Sequence, residues 1–475
     1  MKTTLSHHFL RISVALLTVF LASCAAVGPT YEPPRPDMPT GWSESTKDLQ
    51  VAADADINTW WTLFKDPVLD SLIQRTIASN QDLRIAETRI REARAQRQLA
   101  GSAQVPALNA SASSSHSRSY ENTASGKGSR DLYQAGFDAG WEVDIFGGVR
   151  RSIEAADASV ASSLEDKRDI QVSLLAEVAR NYLELRGSQQ RIAIANQNIA
   201  NQEETVALVQ RRFEIGLSSE LELEQAKNQL YMSKSPVPGL ETIAAQAMHR
   251  LALLIGQQPQ ALVAELSPEV MIPATPPEIP VALPSELLRR RPDIRRAERD
   301  LATATAQVGV ATADLFPRFS LGAMAGLEST SLSDLVTSGS RFWSFGPTVK
   351  WALFDGGRAR AGVEISNAQR DRAQIAYEKS VLAALADVED ALVAFNREQQ
   401  TRRTLAAAAD SAQRAATIAR DQYKLGLIDF LNVLLSDSSL RQSQDQLVQS
   451  EQRLSMNMVA LFKSLGGGWE VETPL

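Results

Sequence analysis

The chain has 475 residues, room for about three domains of ordinary size and far more than one core requires. Apolar residues make up 44%, charged residues 22% and aromatic residues only 6%, a folded composition that leans helical because the C-terminal half is rich in alanine. A formal net charge of −7 supplies no basic stripe and argues against nucleic-acid binding, while a single cysteine and four histidines, two of them His7 and His8, argue against a His/Cys metal centre or a disulfide framework.

The first 23 residues join Lys2 and Arg11 to an apolar run, Ile12 to Ala22, that is too short to span a bilayer and has the build of a secretory leader. The lone cysteine closes Leu21-Ala22-Ser23-Cys24, which resembles a bacterial lipobox, so the mature chain is expected to begin at an acylated Cys24. Ala25 and Ala26 follow without the aspartate that retains such lipoproteins at the inner membrane, which favours the outer membrane. Five prolines between Pro29 and Pro39 predict an extended strap over residues 24–59, with regular structure from Trp60.

Laid on itself, the chain repeats. At an offset of 211, Asp82, Arg84, Glu87, Gln96 and Pro106 meet Asp293, Arg295, Glu298, Gln307 and Pro317; at 210, Trp141, Gly216 and Leu217 meet Trp351, Gly426 and Leu427. Residues 60–256 and 293–466 are therefore two copies of one unit, joined by a Pro-rich connector over 257–292 and followed by a tail over 467–475. Each copy reads as helix, β-hairpin (about 105–146 and 316–354), very long helix, turn (about 213–221 and 423–431) and helix. Val149–Phe213 and Arg358–Tyr423 run without proline, each long enough for a rod of roughly 100 Å. Leu175, Val178, Tyr182 and Leu185, like Leu385, Val388, Leu392 and Phe395, step by three and four as coiled-coil seams. Pro236 and Pro238 should break the first returning helix, and the second has no counterpart. Arg289 to Arg291, placed before Pro292-Asp293, read as a solvated helix lead-in rather than a phosphate site.

In the hairpins the period becomes two. Phe137, Trp141, Val143 and Ile145 alternate with Asp138, Gly140, Glu142 and Asp144; Phe319, Leu321, Ala323, Ala325 and Leu327 alternate with Ser320, Gly322 and Gly326. Phe345, Val349, Trp351 and Leu353 repeat the pattern against Gly346, Thr348 and Lys350, and Leu108, Ala110 and Ala112 mark a weaker fourth strand; polar spans at about Ser119–Arg130 and Thr330–Arg341 connect the pairs. Carboxylates alternating with Trp and Val suit a wall between lipid and water, although a soluble sandwich strand alternates too. A barrel needs about eight strands and an open edge cannot sit in hydrocarbon, so four strands per chain require several chains to share one barrel.

The lipobox, the two-copy plan, the segment Leu283 to Glu298, and the paired Phe213-Glu-Ile-Gly-Leu217 and Tyr423-Lys-Leu-Gly-Leu427 resemble the TolC-type outer-membrane efflux factors, nearest their OprM-like (NodT) lipoprotein branch. The resemblance implies an α+β membrane protein: a homotrimer whose transmembrane β-barrel, four strands per chain, continues into a long periplasmic α-helical coiled-coil barrel. It implies an exit duct served by a periplasmic membrane-fusion adaptor and an inner-membrane pump, commonly of the resistance-nodulation-division type. Gly216, Leu217, Ser218, Ser219, Gly426, Leu427, Ile428 and Asp429 become the tips that the adaptor reads. The constriction falls on Leu431, Asn432 and Leu435, with Leu435 making it apolar where TolC itself is acidic; Asp437 stands two residues on. Tyr423 and Glu222 match a tie that closes the tip, though Ile428 replaces the basic partner.

No nucleophile elbow or zinc spacing is present, and Gly126-Lys127-Gly128-Ser129 lacks the Gly-Lys-Ser/Thr core of a phosphate loop, so neither an enzyme nor a cofactor is expected. A protein-secretion outlet or a non-conducting tether between membranes would share these features.

Overall fold

The computed structural model describes residues 26–43, 49–51, 57–119, 128–276, 279–281 and 284–470; the leader and Cys24 lie outside them. In chain order the elements are β1 (Leu49–Val51), α1 (Pro67–Ser79), α2 (Gln81–Ser102), β2 (Ala107–Ser119), β3 (Gly128–Val143), α3 (Gly148–Glu214), α4 (Glu220–Lys234) and α5 (Val237–Leu254). There follow the one-turn α6 (Val263–Leu266), β4 (Ile279–Val281), the one-turn α7 (Leu287–Arg290), α8 (Pro292–Ala313), β5 (Arg318–Ser329), β6 (Arg341–Lys350), α9 (Arg358–Lys424) and α10 (Phe430–Ser464). The duplication survives to the residue: α2 and α8 each have 22 residues and start 211 apart, and α3 and α9 each have 67 and start 210 apart. The first copy returns as α4 and α5, interrupted at Ser235-Pro236, where proline removes an amide donor; in the second copy α10 runs unbroken for 35 residues.

One compact unit gathers residues 26–35, 89–164 and 296–378. Its sheet is antiparallel throughout, in the order β2-β3-β5-β6, so the two copies contribute one hairpin each and meet at β3 and β5. Four boundaries differ from the expectation. β6 stops at Lys350, leaving Trp351 and Leu353 beyond the ladder, and β3 stops at Val143. Asp144 accordingly points no side chain from the sheet; its carboxylate caps α3, accepting from the amides of Val149 (3.0 Å) and Arg150 (2.9 Å). β2 and β3 also run further into the Ser/Gly-rich span, to Ser119 and from Gly128, because serine fits either face of a ladder whose hydrogen bonds are all backbone.

The strap docks in this unit. Val27 donates to the Phe146 carbonyl (3.0 Å), and the Arg151 guanidinium donates to the carbonyls of Val27 (3.1 Å) and Gly28 (3.4 Å) while pairing with Glu154 (2.7 Å). Gly28 has φ +87°, and a Cβ there would stand 2.5 Å from the Gly309 Cα, so glycine is required by conformation and by space.

The second unit comprises residues 36–88, 165–295 and 379–470. Here the strap gains a strand that three residues could not announce by periodicity: β1 pairs in parallel with β4 of the connector, Leu49 with Ile279 and Val51 with Val281. The seam residues Leu175, Val178, Tyr182, Leu185, Val388, Leu392 and Phe395 are buried, whereas Leu385 is only half-buried and Ala384 takes the inner position. Trp60 stacks on Phe462 at 5.7 Å. Trp469 carries the guanidinium groups of Arg168 (4.6 Å) and Arg295 (5.2 Å) over its ring, both paired with Glu165 at 2.7 Å, and donates to the Arg290 carbonyl. Of the arginine run expected to be solvated, Arg289 is exposed but Arg291 is buried, because it pairs with Asp293 and Asp387 and donates to the Ser464 carbonyl. Trp469→Ala should therefore cost about 3–5 kcal/mol, read as a lowered denaturant midpoint; an unchanged midpoint would show that this packing contributes nothing.

Candidate functional site

Sequence alternation becomes a two-faced wall once the strands are registered. Phe137 stands between Ala110 and Ala325, Trp141 beside Leu321, Val143 beside Phe319, and Ala323 and Ala325 beside Phe345 and Trp343. The other face carries Asn109, Asp138, Glu142, Ser320, Glu328, Ser344 and Thr348, with Asn109 donating to Asp138 at 3.0 Å. On the apolar face Leu108, Phe137, Trp343, Phe345 and Val349 are exposed, a contiguous patch of the kind that marks a membrane or protein contact. β2 and β6 are its edges, with their outer backbone groups still to be paired. No helix among the described residues is long and apolar enough to cross a membrane.

The two turns form a second constellation, within the second unit. Gly216 and Gly426 adopt φ +75° and +73°, the left-handed conformation that ends a helix cheaply only at glycine. Each turn closes alike: Gly216 and Gly426 donate to Phe213 and Tyr423, and Leu217 and Leu427 to Arg212 and Gln422. Ser219 caps α4 by accepting from the Glu222 amide (3.3 Å), so Ser219-Glu220-Leu221-Glu222 has the spacing of a capping box. Asp429 occupies the N-cap of α10 without a side-chain cap bond. Leu217 and Leu427 are exposed, as are Ile215 and Leu425, which pattern reading passed over because an isolated aliphatic beside a turn carries no period.

Beneath these turns Val209, Leu223, Ala226, Ala419, Tyr423, Phe430 and Val433 form a small core, with Ile428 packed against it. Tyr423 is thus a core residue: its ring meets Phe430 at 5.3 Å, the Arg212 guanidinium lies over it at 4.9 Å, and its hydroxyl lies 3.3 Å from Ser218 Oγ, a different partner from Glu222. Leu431, Asn432 and Leu435 share the exposed face of α10. Asp437 faces the other way. It is 4% exposed, takes Arg420 at 2.9 Å and accepts from Gln202 Nε2 at 3.1 Å, tying α10 to α9 and α3. It therefore offers no free carboxylate to compensate for the missing acidic constriction. The signal was present: Phe430, Val433, Asp437 and Leu440 step by three, four and three, so Asp437 occupies a seam position and needed a cation, which Arg420 supplies.

The family model described as outer membrane efflux protein matches residues 72–257 and 283–467, one match per copy. The chain is 32% identical to outer membrane protein OprJ of Pseudomonas aeruginosa over 97% of this chain and 96% of that protein. It is 30% identical to the probable outer membrane lipoprotein SilC of Salmonella typhimurium over 96% and 98%. Among solved structures it resembles the outer-membrane channel OprN, with a TM-score of 0.88 and 36% identity over 94% of this chain and all of that one.

Proposed function

The chain belongs to the outer membrane efflux protein family and is an outer-membrane efflux channel component, and on that premise we propose how its residues do the work. Three copies close one twelve-stranded barrel, each giving the sheet β2-β3-β5-β6, with the apolar face in lipid and the Asp138 face lining water. The observation that carries this is the two-faced open sheet: its exposed aromatic face needs hydrocarbon and its unpaired edges need neighbouring strands. Cys24 carries the acyl anchor. Two residues on, Ala26 lies in the strap, whose Val27 amide donates to the Phe146 carbonyl.

The helices extend into the periplasm and the two turns are their tips. The exposed aliphatics Ile215, Leu217, Leu425 and Leu427 give a periplasmic adaptor an apolar surface, with Ser218, Ser219, Ile428 and Asp429 at its rim. The adaptor links the duct to an inner-membrane pump of the resistance-nodulation-division type. Leu431, Asn432 and Leu435 narrow the lumen as an uncharged ring that resists wetting, and the Arg420–Asp437–Gln202 tie holds α10 in place behind it. Adaptor binding opens the duct by favouring the arrangement in which the tips stand apart.

Purified protein in planar bilayers should conduct, and Leu435→Ser should raise the single-channel conductance; a native protein that binds lipid but never conducts would leave only a tether. Cys24→Ser should abolish palmitate labelling in cells, and labelling that persists would move the anchor elsewhere.

A further inference from the structure

Leu353 and Phe354, just after β6, are 80% and 92% exposed, and Val105 and Leu108, at the start of β2, are 61% and 70% exposed. These apolar side chains stand beside the two open edges of the sheet, at the end where the strands give way to helices. The corresponding junction inside the chain is filled. After β3, the Phe146 ring stacks on Phe316 at 4.6 Å and lies 6.5 Å from Phe319, the residues that flank the start of β5.

The duplication relates the two places. Pro317 answers to Pro106, so Phe316 and Phe319 answer to Val105 and Leu108; Trp141 answers to Trp351, and the next aromatic residue is Phe146, five positions on, in the first copy and Phe354, three positions on, in the second, where the junction is shorter. In both, an aspartate close to that aromatic caps the following long helix: Asp144, two residues before Phe146, on α3, and Asp355, directly after Phe354, on α9. We propose that Phe354, with Leu353, packs on Val105 and Leu108 of a second copy of this chain, repeating between subunits the stack that Phe146 makes within one.

The same correspondence sets the register of the seam. Within the chain Val143 pairs with Phe319 and Trp141 with Leu321. Carrying both strands across by their offsets places Val349 opposite Ala112 of the neighbouring copy, and Thr348 opposite Ser113. That register keeps Trp343, Phe345 and Val349 of β6 on the face that carries Leu108, Ala110 and Ala112; a slip of one residue would set Val349 among the serines of the wet face. The inference rests on the shared-barrel reading and adds to it the contact that seals its base.

The test uses full-length acylated protein in native membranes. Val105→Cys with Phe354→Cys, treated with a short bis-maleimide, should give covalent dimers and trimers on denaturing gels, and either substitution alone should give none. Ser113→Cys with Thr348→Cys should oxidise to a reducible disulfide, since directly opposed strand residues lie within disulfide reach, while Ser113→Cys with Val349→Cys should not. A trimer by mass in which neither pair links, or in which only the shifted pair links, overturns this contact while leaving the shared barrel intact. A detergent-solubilised protein with the mass of one chain overturns both.

Discussion

Phe137→Lys is expected to keep the protein from accumulating as an assembled species in the outer membrane, whereas Asp138→Ala, one residue away, should be tolerated. Phe137 lies in the middle of β3, between Ala110 and Ala325, on the exposed apolar face. A lysine at the hydrocarbon midplane costs about 2–4 kcal/mol in a transmembrane barrel, and a threefold assembly incurs it three times, enough to consume much of an ordinary stability margin. Asp138 accepts a hydrogen bond from Asn109 on the opposite face, where water replaces a lost partner. The measurement is the yield of assembled, heat-dissociable protein in the outer-membrane fraction. Equal yields for the two variants would mean that the apolar face meets something other than lipid.

The second large effect concerns the tip. Asp437→Asn should lower stability by about 3–5 kcal/mol, because it strands the Arg420 guanidinium in a site where the aspartate side chain is only 3% exposed. It should also raise the closed-state conductance, since α10 would lose its hold on α9 and α3 directly behind Leu435. Arg420→Met with Asp437→Leu removes both charges together and should recover most of the stability, as apolar replacements of buried pairs commonly do. If conductance in Asp437→Asn stays at the native value while the unfolding midpoint falls, the tie supports the fold and has no part in the gate.

Strong, long-range periodicity was legible from the residues. The offsets of 210 and 211 carried over into helices of matching length, and the odd–even alternation around Phe137 became one apolar face. The Gly216 and Gly426 turns were equally plain, because glycine between two proline-free helical runs signals a left-handed cap. Short or singular features were not. Three residues of β1 carry no period, and the strand exists because β4 offers it a partner. Trp351 and Leu353 continue the alternation past the point where the ladder stops, since side-chain pattern does not report where backbone pairing ends.

Residue spacing is enough to say which residues belong to repeated rods, which to two-faced strands, and where the rods turn, because the period of apolar side chains is carried along the chain. Folding alone brings Asp437 to Arg420 rather than to a lumen, sets Tyr423 in a core rather than a tie with Glu222, and lays Arg168 and Arg295 over the Trp469 ring. Each of these depends on which distant side chain arrives within about 3–5 Å, and at that range hydrogen bonding and desolvation, not spacing along the chain, decide a polar residue's role.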